Sequence, residues 1–279
     1  MVKIIADTTS CIPPEEAEQL GIAYIPQIIV FGEKEYRDDT QMDSKTFLKM
    51  LKTSPSLPKT AAPPPALYDP IYRKSIDAGE TMIVVCPSAG LSGTFRSATV
   101  AAQDFPKADI RIIDTNTIAS GLGSIVLYAQ SLVKQGLDAD TVEAAVKEMA
   151  ARERVYFLVD TLEYLYKGGR IGGAAALFGS LLQVKPILTL RGGKTESFES
   201  QRTKSRALAR LMDIVVADYP TDKEGYLTIG HGDAEKEATN LANELCKRLN
   251  IADIRLFDQP PAILVHAGPG VLSVSFMQK

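Results

Sequence analysis

The sequence predicts an α/β protein of two domains: a parallel sheet with helices on both faces, then a mixed sheet with helices. Three observations lead there. Up to residue 150, short apolar runs alternate with polar loops and helical stretches, the order expected of a parallel sheet with crossover helices. From Val155 the texture changes, and two extended runs flank Arg191-Gly-Gly-Lys194, a hairpin signal. A chain of 279 residues, 45% of them hydrophobic, is also larger than one core usually absorbs. The expected domains are 1–152 and 153–279.

Residues 3–6 read as the first strand, ending in the polar loop Asp7-Thr-Thr-Ser10. Pro13-Pro14 opens a helix to Leu20, because proline is tolerated in a first turn. Residues 22–31 read as extended, turning at Gly32. Phe47, Leu48 and Leu51 give 43–52 a helical period, and 54–65, rich in proline, reads as irregular with Thr60 in its middle. A helix at 66–78, a strand at 82–86, a helix at 95–102 and a strand at 110–113 follow. Helices at 120–134 and 138–152 are split by Gly136. In the second half, strands are expected at 155–159, 184–190, 195–200, 226–231, 254–257 and 262–266, with helices at 203–219 and 234–249.

Composition narrows the function. A net charge of -3 argues against a nucleic-acid-binding or membrane-binding surface. Two histidines nearly exclude a multi-histidine metal site, and Cys11, Cys86 and Cys246 have neither metal nor redox spacing. The first residues enter a strand directly, with no signal peptide expected, and no apolar run reaches membrane-spanning length. A cytoplasmic protein without a cofactor is the expectation.

The segment Thr81-Met-Ile-Val-Val-Cys-Pro-Ser-Ala-Gly-Leu-Ser-Gly-Thr94 carries the most information. It is a strand, then a loop with hydroxyls at Ser88, Ser92 and Thr94, then a helix. The carboxyl edge of such a strand is where α/β proteins bind ligands. Ser92 is placed to cap the helix, and the free N–H groups near Gly93 suit an anion; an ordinary capped turn would look the same. Leu162 to Gly173 sets four glycines about Arg170 and runs into the small-residue stretch Ala174 to Leu182. This reads either as tight packing or as alanines and Gly179 leaving space for an apolar ligand, with Arg170 pointing outward. Between Leu165 and Leu211 there are nine basic residues and two acids, read as a basic platform for a phosphate or an acidic partner. His266 sits beside Gly268-Pro-Gly270, and His231 holds a similar position.

Asp7-Thr-Thr-Ser10, Gly90-Leu-Ser-Gly-Thr94, Leu162 to Gly172, Lys185-Pro-Ile-Leu188 and His266-Ala-Gly-Pro-Gly270 come in an order and at separations that together resemble the DegV family of bacterial fatty-acid-binding proteins. The resemblance spans the chain. It implies one long-chain fatty acid buried at or near the domain junction and presented to a separate ATP-dependent fatty acid kinase, which makes an acyl-phosphate for phospholipid synthesis. It leaves room for transient membrane contact and none for nucleic acid. By the same resemblance Thr60, Ser92, Gly93 and His266 hold the carboxylate, while Arg170 and Arg202 dock the kinase or face phosphate. Two departures concern loop shape: Thr60 precedes Ala61-Ala-Pro-Pro-Pro65, and the serine loop opens Pro87-Ser-Ala89. Burying about fourteen methylenes yields about 11 kcal/mol gross, enough for reversible carriage once ordering costs are met.

Two other readings remain. A serine hydrolase would use Ser92 or Ser88 with His266, but Gly90-Leu-Ser-Gly93 lacks the spacing of a nucleophile elbow. A phosphosugar or nucleotide binder would use the strand-edge loops. A self-sufficient kinase would need a phosphate-binding Gly-x-x-x-x-Gly-Lys-Ser/Thr loop, which the sequence lacks.

Overall fold

The computed structural model describes residues 1–178 and 184–278. Strand β1 (Val2–Asp7), a 3-10 turn at Thr8–Ser10, α1 (Pro14–Leu20) and β2 (Ala23–Ile25) open the chain. The hairpin β3 (Ile28–Phe31) and β4 (Lys34–Arg37), α2 (Ser44–Thr53) and β5 (Lys59–Ala61) follow. Then come α3 (Asp69–Asp77), β6 (Thr81–Cys86), α4 (Thr94–Ala102), β7 (Ile110–Asp114), α5 (Ala119–Lys134) and α6 (Ala139–Arg152). The second half holds β8 (Glu153–Leu158), α7 (Glu163–Lys167), a 3-10 turn at Gly172–Leu177, β9 (Lys185–Arg191), β10 (Lys194–Gln201) and α8 (Lys204–Asp218). It closes with β11 (Thr228–His231), α9 (Glu235–Leu249), β12 (Arg255–Asp258), α10 (Pro261–Ala267) and β13 (Leu272–Met277).

The result is a two-domain α/β fold. A parallel sheet runs β2-β1-β6-β7, and a mixed sheet runs β10-β9-β8-β13-β11-β12. In the parallel sheet side chains alternate between two apolar layers, as a period of two requires. Ile83 and Val85 pack with Leu122 and Ile125 of α5, whereas Met82, Val84 and Cys86 pack with Tyr68, Tyr72 and Ala98. In β13, Leu272, Val274 and Phe276 join the layer under α8 and α9, while Ser275 turns the other way and takes the Ser120 hydroxyl of α5 at 3.2 Å. Helix α5 thus lies between the two sheets.

Four expectations need correction. Residues 262–266 form helix α10, not a strand: a short, wholly apolar run has no readable period, and Pro261 at its first turn pre-sets helical φ. The strand in this region is β13, where Leu-Ser-Val-Ser-Phe alternates apolar and polar residues. Residues 59–61 are not irregular but form β5, pairing with β3 so that Thr60 lies opposite Ile29. This adds a third, antiparallel sheet, β4-β3-β5, that was not expected. The hairpin at 191–194 has the expected turn, with Gly192 at φ 54° and Gly193 at φ 72°, the double positive φ that matches strand twist.

Candidate functional site

A narrow cavity lies where the three sheets converge, with about 120 Å³ open to the centre of a water molecule. Its wall is mostly apolar: Leu91, Ile118, Val155, Phe157, Leu165, Leu190, Ala262, Ile263, Ala267 and Val271. Several polar side chains interrupt it. Thr60 comes from β5, Ser92 and Gly93 from the loop after β6, His266 from α10 and Arg170 from the glycine-rich turn after α7. An outer hollow shares Thr60, Arg170 and His266 with this cavity and adds Lys59, Tyr164 and Lys167. These shared residues therefore form the partition between the cavity and the surface.

Thr60 Oγ1 and His266 Nε2 are 2.8 Å apart. His266 Nδ1 is buried and has no hydrogen-bond partner. Burial first, and the Arg170 charge second, lower the His266 pKa to about 4, so the ring is neutral near pH 7. A stranded acceptor is tolerated better than a stranded N–H. The ring proton therefore belongs on Nε2, donated to Thr60, which leaves the Thr60 O–H for the cavity. Gly168 makes this seat: a Cβ there would overlap His266 Nδ1. Gly168→Ala is expected to push the ring out and raise its titration midpoint from about 4 toward the ordinary 6.5. Histidine NMR checks this readily, since the chain has two histidines.

Two site expectations change. Ser92 is not the helix cap; Gly93 holds that position without a side-chain cap bond. The Ser92 hydroxyl instead accepts from the Thr94 N–H at 3.3 Å and lies 2.9 Å from Thr94 Oγ1, which keeps it facing the cavity. Arg170, half-buried, faces the cavity as well as the outer hollow, its guanidinium donating to Leu91 O at 3.1 Å and Gly168 O at 2.7 Å.

Arg202 is exposed and outside the cavity wall. Ser88 is buried, its hydroxyl donating to Gly193 O at 2.6 Å, so the tip of the β9–β10 hairpin clasps the serine loop. Ala174 belongs to an apolar core that includes residues of α7 and α10 and does not line the cavity, and Gly179 to Leu182 lie outside the described residues. The basic platform is partly compensated: Lys167 pairs with Glu163, Lys204 with Asp160 and Glu237, and Arg210 with Glu199.

Sequence reasoning missed Thr9, Gln27, Thr195, Gln259 and Ser273, which also line the cavity. The Asp7-Thr-Thr-Ser10 loop was the available signal for the first. Among the described residues no group of three His, Cys, Asp or Glu side chains is placed to hold a metal, and no helix is long and apolar enough to cross a membrane.

The profile of the DegV family, described as uncharacterised proteins, matches residues 1–279. A DegV domain-containing protein of Streptomyces coelicolor is 37% identical over 275 residues, covering 98% of this chain and 97% of its own. The fold matches a DegV family protein of Thermus thermophilus solved for its fatty-acid binding, with a TM-score of 0.93, 28% identity and coverage of 100% and 99%. It also matches DegV of Bacillus subtilis, described as a fatty acid binding protein, with a TM-score of 0.89, 30% identity and the same coverage. Matched from end to end in sequence and in fold, this chain belongs to the DegV family.

Proposed function

We propose that this protein carries one long-chain fatty acid and presents its carboxylate to a separate ATP-dependent fatty acid kinase, which forms an acyl-phosphate for phospholipid synthesis. The observation that carries the reading is the cavity itself: narrow, largely apolar, lined by Thr60, Ser92, Arg170 and His266, and sharing Thr60, Arg170 and His266 with an outer hollow. Burying an acyl chain supplies the affinity. A carboxylate in an apolar site needs donors, and the Thr60 and Ser92 hydroxyls with the N–H groups near Gly93 supply them. Neutral His266 orients Thr60, and Arg170 adds positive charge beside the headgroup. The fatty-acid binding described for the relatives from Thermus thermophilus and Bacillus subtilis supports the same assignment. The seam between the two domains is placed at 152/153, the protein acts without a cofactor of its own, and it works in the cytoplasm.

Mass spectrometry of denatured protein from its host is expected to show one long-chain fatty acid per chain; its absence counts against the reading. Thr60→Ala and Ser92→Ala are each expected to weaken retention by about 1–3 kcal/mol, the cost of leaving a buried polar group unpaired. Unchanged retention in both would remove the headgroup assignment. Arg202→Glu is expected to leave lipid content intact and slow acyl-phosphate formation, which a coupled assay with the kinase measures. Arg170→Glu sets a carboxylate beside the headgroup and is expected to lose lipid as well. A hydrolase is not favoured, because Nε2 of His266 is engaged with Thr60 and its Nδ1 meets no carboxylate.

A further inference from the structure

Behind Ser92 lies a buried relay that the carrier reading leaves unused. Asp7, 1% exposed, ends β1. Its Oδ1 accepts from the Thr9 N–H at 3.0 Å and from the Thr9 hydroxyl. Its Oδ2 accepts from Gln27 Nε2 at 2.6 Å and lies 2.8 Å from Thr94 Oγ1. Thr94 Oγ1 also accepts from Gln27 Nε2 at 2.8 Å and lies 2.9 Å from Ser92 Oγ.

A hydroxyl has one proton to donate, so the direction of this relay depends on Asp7. When Asp7 is a carboxylate, Thr94 donates to it. The proton between Thr94 and Ser92 is then Ser92's, and Ser92 offers the cavity only lone pairs. When Asp7 is protonated it donates to Thr94, Thr94 donates to Ser92, and the Ser92 O–H is free for a carboxylate. Two anions sharing one buried site also disfavour double ionisation.

We propose that Asp7 is the proton acceptor of the headgroup site, so that a fatty acid is held there as a carboxylate against a protonated Asp7. The proposal rests on the carrier reading. For an acid entering uncharged, its proton passes to Ser92 Oγ, the Ser92 proton to Thr94 Oγ1 and the Thr94 proton to Asp7 Oδ2. Three O–H bonds break, three form, and the negative charge moves from Asp7 to the ligand. A carboxylate entering from water draws one proton from solvent instead. Asp7 is thus a positioning residue acting through Thr94 and Ser92.

Donors from Thr9, Gln27 and Thr94 hold Asp7 as a carboxylate before a fatty acid binds, and its burial favours taking up a proton once a second anion arrives. Burial raises its pKa against its hydrogen bonds. Cys11, Tyr24 on β2, Tyr68 before α3 and Cys86 on β6 are likewise pushed up and stay uncharged. Asp258 on β12 acts on Cys11. On the cavity side stand neutral His266 and the Arg170 cation. Asp38 is the rival proton acceptor, raised by burial to about 7, with Oδ1 bound by Thr8 and the Gln27 N–H and Oδ2 unpartnered.

Calorimetry with palmitate in two buffers of different protonation enthalpy, near pH 7.5, tests this. Wild type and Asp38→Asn are expected to take up about one proton per ligand and Asp7→Asn none. Wild-type affinity falls about tenfold per pH unit above the Asp7 titration, and the Asp7→Asn profile is flat. Infrared difference spectra with carboxyl-labelled palmitate are expected to show an ionised ligand and an unlabelled carboxylic-acid band. If Asp7→Asn does not fold, the same spectrum of Asp38→Asn decides, the band persisting if Asp7 carries the proton and vanishing if Asp38 does. A protonated ligand, uptake persisting in Asp7→Asn, or uptake lost in Asp38→Asn overturns the proposal while leaving the carrier reading standing. Failure of wild type to bind palmitate overturns both.

Discussion

Val155→Phe is expected to strip long-chain fatty acid from the protein while leaving it folded. Val155 is buried and lines the cavity from the middle of β8, yet it belongs to none of the four apolar clusters. Its side chain therefore has room on the cavity side, and phenylalanine is at home in a strand. The ring takes space meant for methylenes, each worth about 0.8 kcal/mol. Excluding four of them costs about 3 kcal/mol, a loss of affinity above a hundredfold. Mass spectrometry of the denatured variant should find little long-chain acid, with shorter acids retained on addition. Unchanged long-chain content would show that the acyl chain runs elsewhere.

Glu153→Gln is expected to stabilise the protein at alkaline pH and do little in acid. Glu153 begins β8, is 8% exposed and leaves Oε1 without a partner. Burial raises its carboxyl from the ordinary 4.5 to about 7. A folded pKa above the unfolded one means that folding takes up a proton between these values. Wild-type stability from this group is fully present below about 4.5 and is lost as pH rises through about 7. The difference corresponds to about 3 kcal/mol above that window. Glutamine keeps the shape and carries no charge to bury. Urea unfolding of both proteins at about pH 4 and pH 8.5 reads the effect as the difference of differences. A gap that does not grow with pH would mean that Glu153 is solvated.

Local signals gave most of the fold. Regular alternation made the parallel sheet readable, since its strands are apolar on both faces and end in polar loops. Arg191-Gly-Gly-Lys194 fixed its hairpin because only that turn chemistry fits two positive φ values. What escaped depended on tertiary placement. Lys59–Ala61 is too short to show a period, and only pairing with Ile29 and its neighbours makes it a strand. The apolar run at 262–266 suited a strand as well as a helix until Pro261 was given weight.

The site divides in the same way. Thr60, Ser92, Gly93 and His266 were named through motif order, and the structure brings them to one cavity. That Arg170 also reaches the cavity was not legible, because glycines on either side say nothing about where the chain turns back. Glu153 and Asp38 carry no sequence signal, since only packing can bury a carboxyl.

The contact between Thr60 and His266 joins residues 206 positions apart, one on an edge strand near the start and one on the last helix. Contacts this distant form late in folding. On the carrier reading proposed above, a chain still being made on the ribosome has no grip for a headgroup until α10 emerges, so a product truncated before it is expected to sequester no cargo.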